Sequence, residues 1–96
     1  MYFVCLRYPL RPRAEWKVTL QEHLDWIKSQ HEAGTVIMSG PSRDKSVSVY
    51  VIKTDSLASA EAIAAADPFT AGGDCRFELI DWDVHQIMGI GSFVAE

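Results

Sequence analysis

The sequence has no run of basic residues. Its nine Lys and Arg are outnumbered by thirteen Asp and Glu, giving a net charge of −4 and a pI near 5.2. Phosphate binding needs a clustered basic footprint, so nucleic acid is not expected as a partner. Cysteine is scarce. Cys5 and Cys75 lie far apart, each in a stretch that reads as strand. A secreted disulfide scaffold would carry more, and the expectation is two buried free thiols in a reducing compartment. No apolar run approaches the roughly 20 residues of a membrane helix. Met1 leads straight into Tyr2-Phe3-Val4-Cys5-Leu6 with no basic n-region or cleavage site. A cytoplasmic protein with no membrane partner is therefore expected. Three further absences narrow the chemistry. No histidine or cysteine pair has metal-ligand spacing: His23 and His31 are two turns apart rather than one, and His85 is remote. There is no Gly-x-Ser-x-Gly elbow for a serine nucleophile. No glycine-rich phosphate cradle appears either. Metal ions, nucleotides and other cofactors are therefore not expected.

What is present suits one domain spanning residues 1–96. The hydrophobic fraction of 48% and the 10% aromatics exclude disorder. A chain this short buries only about two-thirds of its unfolded surface, so its core is thin and dimerisation is a common remedy.

The elements follow from periodicity. Tyr2 to about Tyr8 is almost continuously apolar, which fits a strand covered on both faces. Pro9 and Pro12 end it. Ala14 to Val18 is a connector. Thr19 followed by Glu22 is a capping box opening a helix from about Leu20 to Ala33. Leu20, Leu24, Ile27 and His31 form its apolar stripe, with His23 at the border. Gly34 suits the left-handed position after the last turn. Thr35 to Ser39 reads as a second strand, Gly40 to Lys45 as a hairpin loop, and Ser46 to Lys53 as an alternating third strand. Asp55-Ser56 caps an alanine-rich helix, about Leu57 to Ala66, which Asp67-Pro68 terminates. Cys75 to about Val84 is the last long strand, and the four acidic residues from Asp74 to Asp83 suit a sheet edge. The residues 85–96 are too apolar for a free tail and are expected to dock on a partner subunit or on the sheet. The order β-α-β-β-α-β is the split βαβ of ferredoxin-like α+β folds, with an antiparallel four-stranded sheet. Two helices cover one sheet face, so the other is expected to meet a second copy in a face-to-face homodimer.

Several side chains are candidates for chemistry. His23 reads either as a structural residue beside the core stripe or as a general base. Asp67 reads as a turn former before Pro68, or as a carboxylate that orients His23 and stabilises its imidazolium. Ser39-Gly40-Pro41 is either a hairpin turn or a rim holding a substrate oxygen. Trp26 and Phe69, with Trp16, Tyr2 and Trp82, are core residues or platforms for a ring. Arg7, Lys17 and Arg76 are read as solvated, with anchoring of an anionic group as the alternative.

Taken together, His23-Leu24-x-Trp26, Ser39-Gly40-Pro41 and Ala66-Asp67-Pro68-Phe69 resemble the YciI-like (YCII-related) family. The Asp55-Ser56-Leu57 cap and the Ala71-Gly72 step fit as well, and the likeness spans roughly residues 1–84. The resemblance implies a protomer of the dimeric α+β-barrel superfamily, paired sheet to sheet, which also holds muconolactone isomerase. It implies that His23 and Asp67 form the family's catalytic centre. Many members carry an arginine shortly before the histidine; this chain has Thr19 there, and Lys17 is expected to supply the charge.

The reading is a cofactor-free lyase or isomerase acting on a small hydroxylated ring. HCl elimination from a chlorinated hydroxyhydroquinone is the concrete case that the resemblance offers. His23 would move the proton, Asp67 would orient it, and Ser39 with the Gly40 backbone would hold developing negative charge. The competing readings are a non-catalytic small-molecule-binding dimer and a purely structural one.

Overall fold

The computed structural model describes residues 1–89 and the backbone of residues 91–92. Strand β1 (Tyr2–Pro9) lies at the centre of a sheet of order β2-β3-β1-β4, with β2 spanning Val36–Pro41, β3 Ser48–Lys53 and β4 Cys75–Trp82. All three pairings are antiparallel. Helix α1 (Leu20–Ala33) connects β1 to β2, and α2 (Leu57–Ala65) connects β3 towards β4. This is the expected ferredoxin-like α+β architecture.

Local chemistry explains the boundaries. Thr19 Oγ1 accepts from the Glu22 amide at 3.2 Å, and the Thr19 amide donates to Glu22 Oε2 at 2.8 Å, completing the capping box. Gly34, at φ 77°, ends α1 in the left-handed conformation that glycine adopts without a Cβ penalty. Ser56 Oγ accepts from the Ser59 amide and starts α2.

Three expectations are corrected. Asp67-Pro68 does more than end a helix: it opens a further short helix, α3 (Pro68–Ala71), with the Asp67 carboxylate accepting from the Phe69 amide. Proline suits the first helical position because its missing N–H would be unpaired there. The connector also holds a short 3₁₀ turn at Arg13–Glu15. Finally, the apolar stripe of α1 is not all core. Ile27 is buried, but Leu20 and Leu24 are exposed and line a cleft.

The alternation of β1 sorts its two faces. Phe3, Cys5 and Arg7 point under the helices, joined there by Tyr50 and Ile52 of β3 and by Ala60 and Ala64 of α2. The small alanines let α2 sit close to the sheet. Both cysteines are buried and free. The opposite sheet face has no covering element among the described residues. Val4, Leu6, Val49 and Val51 are half-buried there, while Met38 is 64% and Ile80 50% exposed. Beyond β4, residues Gln86–Ile87 (β5) and Gly91–Ser92 (β6) pair as a small hairpin. The expected docking of the 85–96 tail lies largely outside the described residues. No helix among the described residues is long and apolar enough to cross a membrane.

Candidate active site

Asp67 is fully buried between the end of α2 and α3. A buried carboxylate is costly unless its oxygens are satisfied by donors. Here four groups meet that demand. Oδ1 accepts from His23 Nδ1 at 2.9 Å and from the Phe69 amide at 3.0 Å. Oδ2 accepts from Arg7 Nη1 at 2.9 Å and from the Tyr50 hydroxyl. Burial alone would raise the carboxyl pKa. The hydrogen bonds from His23, Tyr50 and Arg7 outweigh it and hold Asp67 down to about 2, from an ordinary 3.8. The same surroundings push the Tyr50 phenol up, first by burial and then by the negative charge of Asp67, so it stays a donor. Burial and then Asp67 push the Cys5 thiol up to about 12. Cys5 is therefore an inert core residue.

The ionised carboxylate has only lone pairs to offer, so His23 Nδ1 carries the proton in this contact. That assigns the tautomer: in the neutral ring Nε2 is the basic nitrogen. It has no hydrogen-bond partner among the described residues, and the ring lines the cleft. Phe69 stacks on the imidazole, with centroids 4.9 Å apart and planes at 18°. Two contacts thus fix the ring, one along its edge and one on its face. The first turn of α1, secured by its capping box, delivers His23 to this position.

The cleft above it has a volume of about 850 Å³, within the range that holds a small molecule. Ser39, Gly40, Pro41 and Phe69 line it. Ser39 Oγ lies 3.0 Å from His31 Nε2, and His31 Nδ1 lies 2.8 Å from the Val36 carbonyl. The carbonyl can only accept, so Nδ1 is protonated. With a neutral ring, Nε2 accepts the Ser39 proton, and Ser39 turns its lone pairs to the cleft. It is then suited to accept from a substrate hydroxyl.

Other expected residues lie elsewhere. Lys17 does not line the cleft; its backbone amide donates to both oxygens of buried Asp74, at 3.0 and 3.1 Å. Asp74, read in the sequence as an edge charge, also accepts from the Val18 amide and from Arg11. These contacts hold its carboxyl below the usual range and pin the connector that forms one wall of the cleft. Trp26 does not line the cleft either and packs edge-on against Tyr50, centroids 5.9 Å apart. The solvated reading of Arg7 is overturned: it is 7% exposed and tied to Asp67 and to Ser48 Oγ at 3.0 Å. Arg7 and Tyr50 are the partners that the sequence reading missed. Their inward positions in the alternation of β1 and β3 were the available signal. Arg76 is exposed, over the Tyr8 ring.

The structure is that of a small α+β protein, a split-βαβ fold with a histidine–aspartate pair beside a cleft. The chain belongs to the YCII-related domain family, whose sequence pattern matches residues 1–83. Among solved structures it is similar to the 5-chloro-2-hydroxyhydroquinone dehydrochlorinase TftG of Burkholderia phenoliruptrix AC1100, solved in complex with 2,5-dihydroxybenzoquinone. The two share 18% identity and superpose with a TM-score of 0.66, over 88% of this chain and 95% of that one. No curated protein matches the chain.

Proposed function

We propose that the chain is a lyase that moves protons on a small hydroxylated ring, with His23 as the base and Asp67 as its orienting partner. The observation that carries this reading is His23 itself: Nδ1 is held by an ionised, buried carboxylate, while Nε2, without a hydrogen-bond partner among the described residues, belongs to a ring at the cleft. That is the arrangement in which an acid partner fixes tautomer and orientation for a histidine base.

Elimination of HCl from a chlorinated hydroxyhydroquinone is the concrete reaction, supported by the likeness to TftG. Nε2 takes a ring-hydroxyl proton, and the electron pair moves into the ring. The same proton is returned to the chlorine-bearing carbon. Loss of a second hydroxyl proton then expels chloride and leaves a quinone, for a net loss of HCl. Ser39 accepts from a substrate hydroxyl, and the Gly40 backbone lies at the rim. We also read the uncovered sheet face as the contact with a second copy of the chain, giving a face-to-face homodimer. The exposed Met38, Ile80 and Trp82 on that face support it.

The test is chloride release from a panel of chlorinated hydroxylated aromatics. His23→Ala is expected to lower turnover about 10²–10⁴-fold, the usual contribution of a general base, and His23→Asn to remove the rising limb of the pH–rate profile. Saturable binding without turnover by the unaltered chain would favour a binding module instead. Turnover undiminished in His23→Ala would refute the assignment.

A further inference from the structure

The charges of the cleft are one-sided. Among the described residues that line it are Arg7, Arg11, Arg13 and Lys45, and none is acidic. Two of these cations are already committed. Arg7 is spent on Asp67 and Ser48. Arg11 leans on Asp74 at 3.4 Å and on the Gly73 carbonyl at 3.1 Å. Arg13 and Lys45 remain, with no side-chain hydrogen bond or ion pair among the described residues.

The two are presented differently. The Arg13 guanidinium carbon sits 4.4 Å from the Trp16 ring centre and 4.8 Å from that of Phe69. Aromatic contact orients a guanidinium while leaving its N–H groups free for a planar acceptor. Phe69 is the ring that stacks on His23 at 4.9 Å. Arg13 and His23 thus both contact the Phe69 ring, and both line the cleft. Lys45 comes from the hairpin loop between β2 and β3. Its φ of 67° is the only left-handed value at a non-glycine residue among those described. Glycine would occupy this position without strain, so the side chain is kept against a local conformational cost.

We propose that Arg13 and Lys45 form an anion subsite, and that the cleft takes a ring carrying a carboxylate as well as the hydroxyl presented to His23. This rests on the reading of the cleft as a substrate site and adds the substrate class. Guanidinium and carboxylate match as a charge-assisted pair, and Lys45 supplies a second, mobile point charge.

Calorimetric titration of the full chain with 2,5-dihydroxybenzoate and with hydroquinone tests it. The two probes differ chiefly in the carboxylate. The benzoate is expected to bind roughly ten- to a hundredfold more tightly, as charge-assisted hydrogen bonds allow. The double variant Arg13→Gln/Lys45→Gly should reduce that preference to near unity while leaving hydroquinone binding within about twofold. Lys45→Gly relieves the left-handed backbone, so the loss cannot be ascribed to a collapsed loop. Equal affinities, a preference that survives the double variant, or no binding of the benzoate at millimolar concentration would each overturn the proposal. The readout is separate from turnover. A wrong base assignment leaves the preference intact in His23→Ala, and a wrong anion subsite leaves chloride release from uncharged phenols intact.

Discussion

Replacing Asp67 by asparagine tests the centre of the structure with almost no change in shape. The carboxylate oxygens face donors only: His23 and the Phe69 amide on one side, Arg7 and the Tyr50 hydroxyl on the other. Wherever the new amide nitrogen is placed, it points at a donor that cannot turn into an acceptor, either the Phe69 N–H or the Arg7 guanidinium. Arg7, 7% exposed, also loses its counter-charge. Breaking such a buried pair from one side costs about 3–5 kcal/mol. The pH dependence separates the ionic contribution from the rest. Asp67 titrates near 2 when folded, against 3.8 as the ordinary value. Its ionisation therefore contributes stability that is fully present above the unfolded value and is lost as pH falls through the folded one. The shift corresponds to about 2 kcal/mol, of which roughly half is gone by about pH 3. Urea unfolding followed by the fluorescence of the three tryptophans should give a wild-type advantage that narrows by about 1 kcal/mol between about pH 6 and about pH 3. An advantage that stays constant over this range would refute the picture of an ionised, donor-saturated carboxylate.

Two further outcomes follow from packing. A Cβ at Gly72 would stand 2.4 Å from Val18 Cγ2 and 2.9 Å from the Pro68 carbonyl oxygen. Gly72→Ala should therefore destabilise the fold by about 1–3 kcal/mol in the same urea assay, whereas Gly40→Ala, with nothing within 4 Å, should be nearly neutral. Sedimentation velocity at micromolar concentration should show a dimer, and Ile80→Asp, on the uncovered sheet face, should convert it to a monomer; a monomeric unaltered chain would remove the sheet-to-sheet assembly.

Much of this architecture was legible from periodicity and caps. The alternation of Ser46 to Lys53, of which Ser48–Lys53 forms β3, and the Thr19–Glu22 capping box act within one element, so spacing reveals them. The pairing of His23 with Asp67 was carried by family resemblance; no local pattern measures a distance across 44 positions. Arg7 was misread because a single charge in an apolar run looks like an outward residue. Counting its register with Phe3 and Cys5 places it inward, where it needs a buried acid. Asp74 was misread for the opposite reason. Beside three other acids it looked like surface charge, although its partners are backbone amides at Lys17 and Val18, which sequence patterns do not display.

The Asp67 carboxylate joins side chains from β1, α1 and β3 and caps α3. One group thus serves as keystone of the junction and, in the proposed function, as support for the base, which restricts how such a protein can diversify. A change at this position is felt by all four of these elements at once, so selection for a new substrate has little freedom there. Freedom lies in the two connections that carry Arg13 and Lys45, since neither contributes to that junction. Divergent relatives with new specificities should differ mainly in those two segments, around an unchanged histidine, aspartate, arginine and tyrosine.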